Sequence, residues 1–332
     1  MKIRTFLFIA VLIVTMAALA LVNAASAAAP TYKAIEIGTF GGPWGYAYGI
    51  NNHGQVVGLA KNADWYYHAF LWDDGVMTDL GTLAGTDSCA MDVNDQGQVV
   101  GFSPMPVDPS TTFPNDHAFL WEDGVMTDLG TLGGNYSFAN AINNRGQIVG
   151  YSATADGGFH AFLWEKGVMT DLGTLPGGLY SLAQDINESG DIVGHCTAPD
   201  GSQHACLWRK GVPVDLGIQP GYIFSFASAI NNRGQVALYN GSWEGTRAYL
   251  WYQGTLTDLG TLSGTDDVMP IDINDRGQVL GWSGGVSFLW QVGEFLDLST
   301  QGINGTAYSI NDQGQVAGFS GNTAVLWVKS NK

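Results

Sequence analysis

The sequence has few cysteines and few basic residues. Only 3 of its 332 residues are cysteine, which excludes a disulfide-rich scaffold. Lysine and arginine together number 13 against 30 aspartates and glutamates, and the formal net charge is −17. Because so acidic a surface repels phosphate backbones and anionic lipids, we expect neither nucleic acid nor a membrane surface as a partner.

A long apolar run occurs only at the N-terminus. Residues 1–4 are basic, residues 5–22 carry no charge, and a stretch of small residues follows. This order predicts an export signal at residues 1–27, cleaved after Ala24 or Ala27, and therefore a secreted protein, extracellular or periplasmic. An uncleaved anchor is the alternative, because the apolar run is nearly long enough to span a membrane.

Two of the three cysteines can form a pair. Cys196 and Cys206 lie symmetrically about Gly201 in a predicted hairpin. In an oxidising compartment this arrangement permits a cross-strand disulfide. Two buried free thiols are the alternative.

The dominant feature is a repeat present in seven tandem copies, and a repeat of this size indicates a solenoid, a propeller or an array. A turn glycine recurs once per copy, at Gly54, Gly97, Gly146, Gly190, Gly234, Gly277 and Gly314. A tryptophan recurs likewise, at Trp72, Trp121, Trp164, Trp208, Trp251, Trp290 and Trp327.

Each copy contains four short β-type runs separated by turn residues. An N-N-R-G-Q turn lies between the first two runs, and an x-Gly hairpin lies between the last two. Asparagine favours the first turn position, and glycine adopts positive φ without strain. No helical period is present, so each copy predicts one four-stranded antiparallel blade.

The two ends of the mature chain complement each other. The last copy lacks its fourth run, whereas residues 32–38 form an unmatched run that places Glu36 where other copies carry an aspartate such as Asp79. We therefore predict a single all-β domain over residues 31–332: a seven-bladed β-propeller closed by its N-terminal strand. An open solenoid of hairpins is the alternative.

The repeated motifs H-A-F-L-W, L-G-T-L-G-G and I-N-N-R-G-Q-I-V-G resemble those of the HAF-repeat family of probable extracellular repeat proteins. The resemblance covers essentially all of residues 31–332, although copies four to seven drift from the H-A-F-L-W pattern. It implies export and a repeat fold, and it supplies no activity.

Three repeated residue types have structural interpretations. The tryptophans predict wedges that fill the widening outer part of each blade. The histidines before them, such as His68, lie on different blades and cannot converge on one metal ion. The aspartates on the fourth run, such as Asp79, predict protection of an exposed sheet edge.

A weak calcium motif occurs in D-I-N-E-S-G-D-I, where Asp185, Asn187 and Ser189 match the start of an oxygen-ligand loop. Asp92 and Asp272 stand at the same position as Asp185 in two other copies. A glutamate to close the loop is missing, and the N-x-x-G turn accounts for the pattern without an ion. We expect no metal and no cofactor.

The best ligand-binding candidates occupy the position that opens the innermost strand. This position should surround one mouth of the central channel, and it varies between copies: Trp44, Asp87, Tyr136, Tyr180, Phe224, Asp267 and Asn304. Irregular loops on the same face add Trp65, Tyr66, Trp243 and Trp282. Aromatic and polar side chains together suit a sugar- or peptide-binding surface. The alternative is that they merely continue the apolar face of the inner strand.

From these features we expect a monomeric, non-catalytic module that binds an extracellular polysaccharide, glycan or protein. A hydrolase or lyase acting on an extracellular polymer is a second hypothesis, with Asp87 and Asp267 as its carboxylates. A structural or matrix protein is a third.

Overall fold

The computed structural model describes residues 31–106, 115–262, 264 and 267–330. The predicted export signal at residues 1–27 lies outside these ranges. Within them, no helix has the length and apolar character needed to cross a membrane. Apart from a short 3-10 helix at Leu298–Gln301, the regular elements described are β-strands.

The first strand, β1, covers Tyr32–Gly38. Copies one to three supply β2 (Gly41–Ile50), β3 (Val56–Asn62), β4 (Tyr67–Asp73), β5 (Val76–Asp79), β6 (Cys89–Val93), β7 (Val99–Pro104), β8 (Asp116–Glu122), β9 (Val125–Asp128), β10 (Gly133–Ile142), β11 (Ile148–Thr154), β12 (Phe159–Glu165) and β13 (Val168–Asp171). Copies four and five supply β14 (Ser181–Ile186), β15 (Ile192–Thr197), β16 (Gln203–Arg209), β17 (Val212–Gly217), β18 (Phe224–Ile230), β19 (Val236–Ser242), β20 (Gly245–Tyr252) and β21 (Thr255–Asp258). Copies six and seven supply β22 (Val268–Ile273), β23 (Val279–Ser283), β24 (Val286–Gln291), β25 (Glu294–Asp297), β26 (Thr306–Ile310), β27 (Val316–Ser320) and β28 (Thr323–Lys329).

The strands form an all-β propeller with four-stranded blades. Five sheets have four strands each: β2–β5, β6–β9, β10–β13, β22–β25, and β26–β28 with β1. The prediction of seven separate four-stranded sheets is wrong for copies four and five, because β14–β21 form one eight-stranded sheet. A single parallel pair, Gln203 with Phe224, links the two sets of strands.

The N-terminal strand pairs with the last strand of the chain, as the displaced fourth run predicts. Strand β1 runs antiparallel to β28 from Tyr32, opposite Lys329, to Gly38, opposite Ala324. The Tyr32 hydroxyl also donates to the carbonyl of Gly314, 3.1 Å away. This pairing joins the two ends of the described chain.

Neighbouring copies are linked by a hydrogen bond that is repeated at the turn after each inner strand. The first asparagine of the turn donates from its side-chain amide to the backbone carbonyl of the corresponding asparagine in the next copy, at 2.9 to 3.2 Å. We call this set the asparagine relay; its members are Asn51, Asn94, Asn143, Asn187, Asn231, Asn274 and Asn311. Because Asn311 donates to the carbonyl of Asn51, the relay is circular and closes over all seven copies.

Each relay asparagine also shapes its own turn. In copy three, the Asn143 side-chain oxygen accepts from the backbone N–H groups of Arg145 and Gln147, and its amide donates to the Gln147 side chain. Gly146 has a φ of +70°, which explains the glycine at this position. The relay asparagines are at most 5% exposed. Water cannot readily replace these hydrogen bonds, so the side-chain polar atoms depend on their protein partners.

A second circle of hydrogen bonds lies beside the relay. The residue after each asparagine donates its backbone N–H to the side-chain oxygen of the equivalent residue in the next copy, at 2.7 to 2.9 Å. The members are Asn52, Asp95, Asn144, Glu188, Asn232, Asp275 and Asp312. Four of these seven are acidic, and they take part in copy-to-copy bonding.

Apolar packing joins neighbouring copies farther from the centre. The repeated tryptophans are buried or half-buried, and Trp208 and Trp327 are almost completely inaccessible. One core cluster combines Ile37 of β1, Trp72 of copy one and Leu326 of copy seven. The tryptophans therefore act as the predicted wedges.

Of the two alternatives for Cys196 and Cys206, a disulfide or two free thiols, the structure has the disulfide. Cys196 on β15 and Cys206 on β16 form a disulfide, with a Cα–Cα distance of 6.0 Å. They are diagonal neighbours, since Cys196 pairs in register with His204 and Cys206 with Gly194. Cys89 is free and buried.

We predict that Asn143→Ala lowers the free energy of unfolding by about 2–4 kcal/mol, because it leaves several buried backbone groups without partners. Arg145→Ala, on the exposed position of the same turn, is the matched control and should change it by less than about 0.5 kcal/mol. Urea unfolding of both variants measures the difference. Equal effects of the two substitutions would contradict a stabilising role of the relay.

Candidate ligand-binding face

Strand direction divides the propeller into two faces. We call the side with the seven asparagine turns the turn face. The opposite side, the loop face, carries the loops between the second and third strands and the starts of the inner strands. The varied candidate residues all belong to the starts of inner strands: Trp44, Tyr136 and Phe224 lie within β2, β10 and β18, and the other four precede their strands by one or two residues.

Trp44 forms part of a cluster with Trp65, Tyr67 and Lys61. The indoles of Trp44 and Trp65 meet edge to face with their centroids 6.1 Å apart. The ammonium of Lys61 lies 4.7 to 4.8 Å from the ring centroids of Trp44, Trp65 and Tyr67. A cation this close to three aromatic faces is favoured electrostatically and holds the rings in place.

Trp65 is presented outward by an uncommon backbone conformation. Its φ is +70°, a region that bulky residues rarely adopt, and its side chain is 62% exposed. The turn is maintained by Asn62, whose side-chain oxygen accepts from the N–H groups of Asp64 and Tyr66. A strained residue that exposes a large apolar side chain is a typical mark of a binding surface.

Tyr136 and Tyr180 belong to one aromatic row that crosses copies three and four. Tyr136 contacts Tyr151 at 6.4 Å, Tyr151 contacts Phe159 at 6.0 Å, and Phe159 stacks on Tyr180 at 4.7 Å. Tyr180 is 40% exposed and the neighbouring Leu179 is 68% exposed. The row therefore presents apolar contact area on the loop face.

Tyr67 and Phe159 were not among the residues predicted from the sequence. They occupy the same position in their copies, directly before the repeated histidine, and that position contacts the candidate residue of the following copy. Phe159 stacks on Tyr180, Tyr67 donates its N–H to Asp87, and Thr246 donates its hydroxyl to Asp267. The variation of the residue before H-A-F-L-W was the available signal.

The two candidate carboxylates have different hydrogen-bond partners. The Asp87 carboxylate, before β6 of copy two, accepts from the Tyr67 N–H of copy one and from the adjacent Thr86 hydroxyl. The Asp267 carboxylate accepts from Thr246, in the region of β20 and β22. Asp87 therefore bonds between copies one and two, whereas Asp267 bonds between copies five and six.

The remaining candidates have separate locations. Phe224 packs on Phe226 at 5.1 Å and on Tyr239 at 6.3 Å, so it continues the apolar inner face. Trp282 lies within strand β23 opposite Met269, and is half-buried. Trp243 is 94% exposed at a loop tip, whereas Asn304 is exposed beside the start of β26.

The repeated histidines and aspartates form pairs across the third and fourth strands. In copy one, His68 Nδ1 lies 2.8 and 3.0 Å from the carboxylate oxygens of Asp79, and Asp79 also accepts from the Gly81 N–H. The same pairs occur in the next three copies, and Arg247 replaces histidine in pairing with Asp258. The aspartates therefore join two strands and the following loop. This structural role goes beyond the predicted protection of a sheet edge.

Three carboxylates at the ends of inner strands line the channel at the turn face, beside the four acidic residues of the second circle of hydrogen bonds. Asp92, Asp185 and Asp272 each accept from the next residue's N–H and from the N–H of an isoleucine in the following copy. They border a cavity of about 190 Å³ that residues of all seven copies surround. Burial raises the pKa of Asp92 to about 6 and that of Asp185 to about 7, and repulsion from the other carboxylates adds to both shifts.

The calcium candidates are not assembled into a ligand set. The Asn187 side-chain oxygen already accepts from the N–H groups of Ser189 and Asp191, and its amide belongs to the relay. Ser189 is exposed, away from the channel-lining Asp185. No metal-binding group of three or more histidine, cysteine or acidic residues occurs in the part of the chain that the structure describes.

Several solved structures of low sequence identity share this fold. YCF48 from Cyanidioschyzon merolae is 11% identical, with a TM-score of 0.56 over 90% of this chain and 99% of that one. YCF48 bound to D1 peptide is 15% identical, with a TM-score of 0.54 over 91% and 97%. Virginiamycin B lyase from Staphylococcus aureus is 14% identical, with a TM-score of 0.52 over 90% and 100%. Identities this low show the fold alone.

No protein-family model matches the chain, and no curated protein matches it.

We predict that the channel carboxylates make stability fall as the pH rises. A pKa above the unfolded value of 3.8 means that the folded protein binds the proton more tightly, so the contribution of Asp185 is complete below pH 3.8 and is lost as the pH passes about 7. Relative to Asp185→Asn, the wild-type free energy of unfolding should drop by about 1–3 kcal/mol between pH 4 and 8, less than the full shift implies because the carboxylate borders an accessible channel.

Chemical unfolding across this pH range measures the difference. The matched variant Asp92→Asn should show the same effect about one pH unit lower, since the pKa of Asp92 is raised only to about 6. A difference between wild type and Asp185→Asn that stays constant with pH would contradict the prediction.

Proposed function

We propose that the protein is a non-catalytic binding module whose loop face recognises an extracellular polysaccharide, glycan or protein. The observation that carries this proposal is the cluster of Trp44, Trp65, Tyr67 and Lys61, in which an exposed indole is held in a strained conformation beside a fixed cation. Flat aromatic side chains offer contact area to sugar rings and peptide side chains at low entropic cost, and the ammonium adds a polar group that orients the ligand.

Several features of the assembly belong to the same proposal. We infer seven blades, because the eight-stranded sheet contains two four-strand sets joined by one residue pair, and because the asparagine relay has seven members. The chain is proposed to be a monomeric, secreted member of the HAF-repeat family. The disulfide between Cys196 and Cys206 agrees with an oxidising compartment.

Binding of a peptide is supported by one structural neighbour, YCF48, whose structure is that of the protein bound to D1 peptide. The hydrolase or lyase alternative has less support, since a glycosidase pair needs two carboxylates within about 10 Å on either side of one bond, whereas Asp87 and Asp267 are held by different pairs of copies. The matrix-protein alternative does not account for the strained Trp65.

The proposal predicts saturable binding to at least one member of a polysaccharide, glycan and peptide panel. Trp44→Ala and Trp65→Ala should each weaken that binding by at least about tenfold, as expected for a central aromatic contact. Tyr136→Ala tests whether the second aromatic row takes part. The control is Val125→Ala, an equally exposed apolar residue on an outer turn of the opposite face.

Microarray screening followed by calorimetry measures these affinities, and thermal unfolding checks that each variant is folded. Unchanged binding in both tryptophan variants would refute the assignment of the face. Turnover of a panel polymer by the wild-type protein would refute the non-catalytic function.

A further inference from the structure

The wall of the central channel contains a second cavity, separate from the loop-face cluster. It has a volume of about 420 Å³ and lies among the first two strands of copies four and five and the inner strand of copy six. Its lining includes Gln184, His195, Phe226, Ser228, Tyr239 and Ile271. A cavity of this size with an apolar wall and a few polar groups suits a small organic molecule.

The repeat explains why the space is open at this point. Ser228 follows the small residue of the inner strand, and the equivalent residues in copies one and seven are Tyr48 and Tyr308. Those two tyrosines contact each other with their ring centroids 5.4 Å apart and occupy the corresponding part of the wall. Serine at position 228 leaves that volume empty.

His195 gives the cavity an imidazole, which no other copy has at the equivalent position. It pairs in register with Leu182, and the equivalent second-strand residues elsewhere are leucine or aromatic: Leu59, Phe102, Tyr151, Tyr239, Trp282 and Phe319. Its ring meets Phe226 edge to face at 4.4 Å. Burial lowers the pKa of His195 to about 4, so the imidazole is neutral near pH 7 and offers one donor and one acceptor.

Hydrogen-bonding capacity remains unused inside this cavity. Within residues 31–106, 115–262, 264 and 267–330, neither the His195 imidazole nor the Tyr239 hydroxyl has a hydrogen-bond partner. Half-buried polar groups of this kind are satisfied by water or by a ligand. Phe226 and Ile271 provide the apolar surface against which a flat ring can pack.

The surrounding charge limits the ligand further. Gln184 and Ile271 directly precede Asp185 and Asp272, the carboxylates of the channel. An anion would meet no cation in the cavity, and the ionised fraction of these carboxylates would repel it. A sugar would leave most of its hydroxyls without partners, because the cavity offers few polar groups.

We propose that this cavity binds a small uncharged aromatic molecule that carries a hydroxyl or ring N–H group. The aromatic ring packs between Phe226 and Ile271, and its polar edge bonds with His195. This site lies in the channel wall, and its existence does not depend on the proposed function of the loop face.

Phenol and indole are the probes, and benzoate is the anionic comparison. By calorimetry and ligand-observed NMR, phenol or indole should bind saturably with a Kd of about 0.1–1 mM, the range expected for so small a ligand. Ser228→Tyr, which introduces the residue found in copies one and seven, should weaken binding at least tenfold. His195→Phe, which introduces the residue found in copies two and seven, should weaken it about fivefold or more.

Met91→Tyr makes the equivalent substitution to Ser228→Tyr in copy two, away from the cavity, and should leave binding unchanged. Thermal unfolding confirms that each variant is folded, and His195→Phe provides the test if Ser228→Tyr does not fold. Absence of saturable binding up to about 10 mM would overturn the proposal. So would equal affinity of wild type and both cavity variants, or binding of benzoate as tight as that of phenol.

Discussion

The circular relay of buried asparagines is the constraint on which the rest of the structure depends. A four-stranded blade cannot bury both of its sides alone, so it needs a neighbour at each side. The relay supplies a directional link from each copy to the next and, through Asn311 and Asn51, from the last copy to the first. Opening the circle at any copy would leave one buried asparagine amide and one backbone carbonyl without partners. Such unpaired buried groups lower the free energy of unfolding.

This constraint separates the two faces of the propeller. On the turn face, the relay and the second circle of hydrogen bonds occupy the same positions in all seven copies, and their side chains are committed to neighbouring copies. On the loop face, the position that opens each inner strand varies between tryptophan, tyrosine, phenylalanine, aspartate and asparagine. The fold therefore imposes its requirements on one face and leaves the other available for a ligand.

Much of this architecture could be predicted because it is local and repeated. The turn chemistry of N-N-R-G-Q, the four runs per copy and the unmatched run at residues 32–38 each follow from short sequence patterns. The disulfide was one of two alternatives, since spacing about Gly201 permits but does not require it. The fusion of copies four and five could not be predicted, because one residue pair, Gln203 with Phe224, creates it.

Side-chain contacts, above all those between copies, were the part of the candidate site that was hardest to predict from the sequence. Trp44 and Trp65 lie in one copy, whereas Tyr180 meets Phe159 only because copies three and four pack against each other. The pairing of His68 with Asp79 lies within one copy and depends on the register of β4 with β5. The cavity at His195 becomes visible only when equivalent side chains are compared as volumes in the folded chain.

We propose that ligands bind at the loop face while the turn face maintains the fold. Hydrogen–deuterium exchange of the chain, free and saturated with a bound polysaccharide or peptide, tests it most directly. We expect added protection in segments 43–45 and 61–67, with the relay turns at 51–55 and 143–147 already protected and unchanged. Added protection confined to the relay turns, with none in the loop-face segments, would contradict the claim.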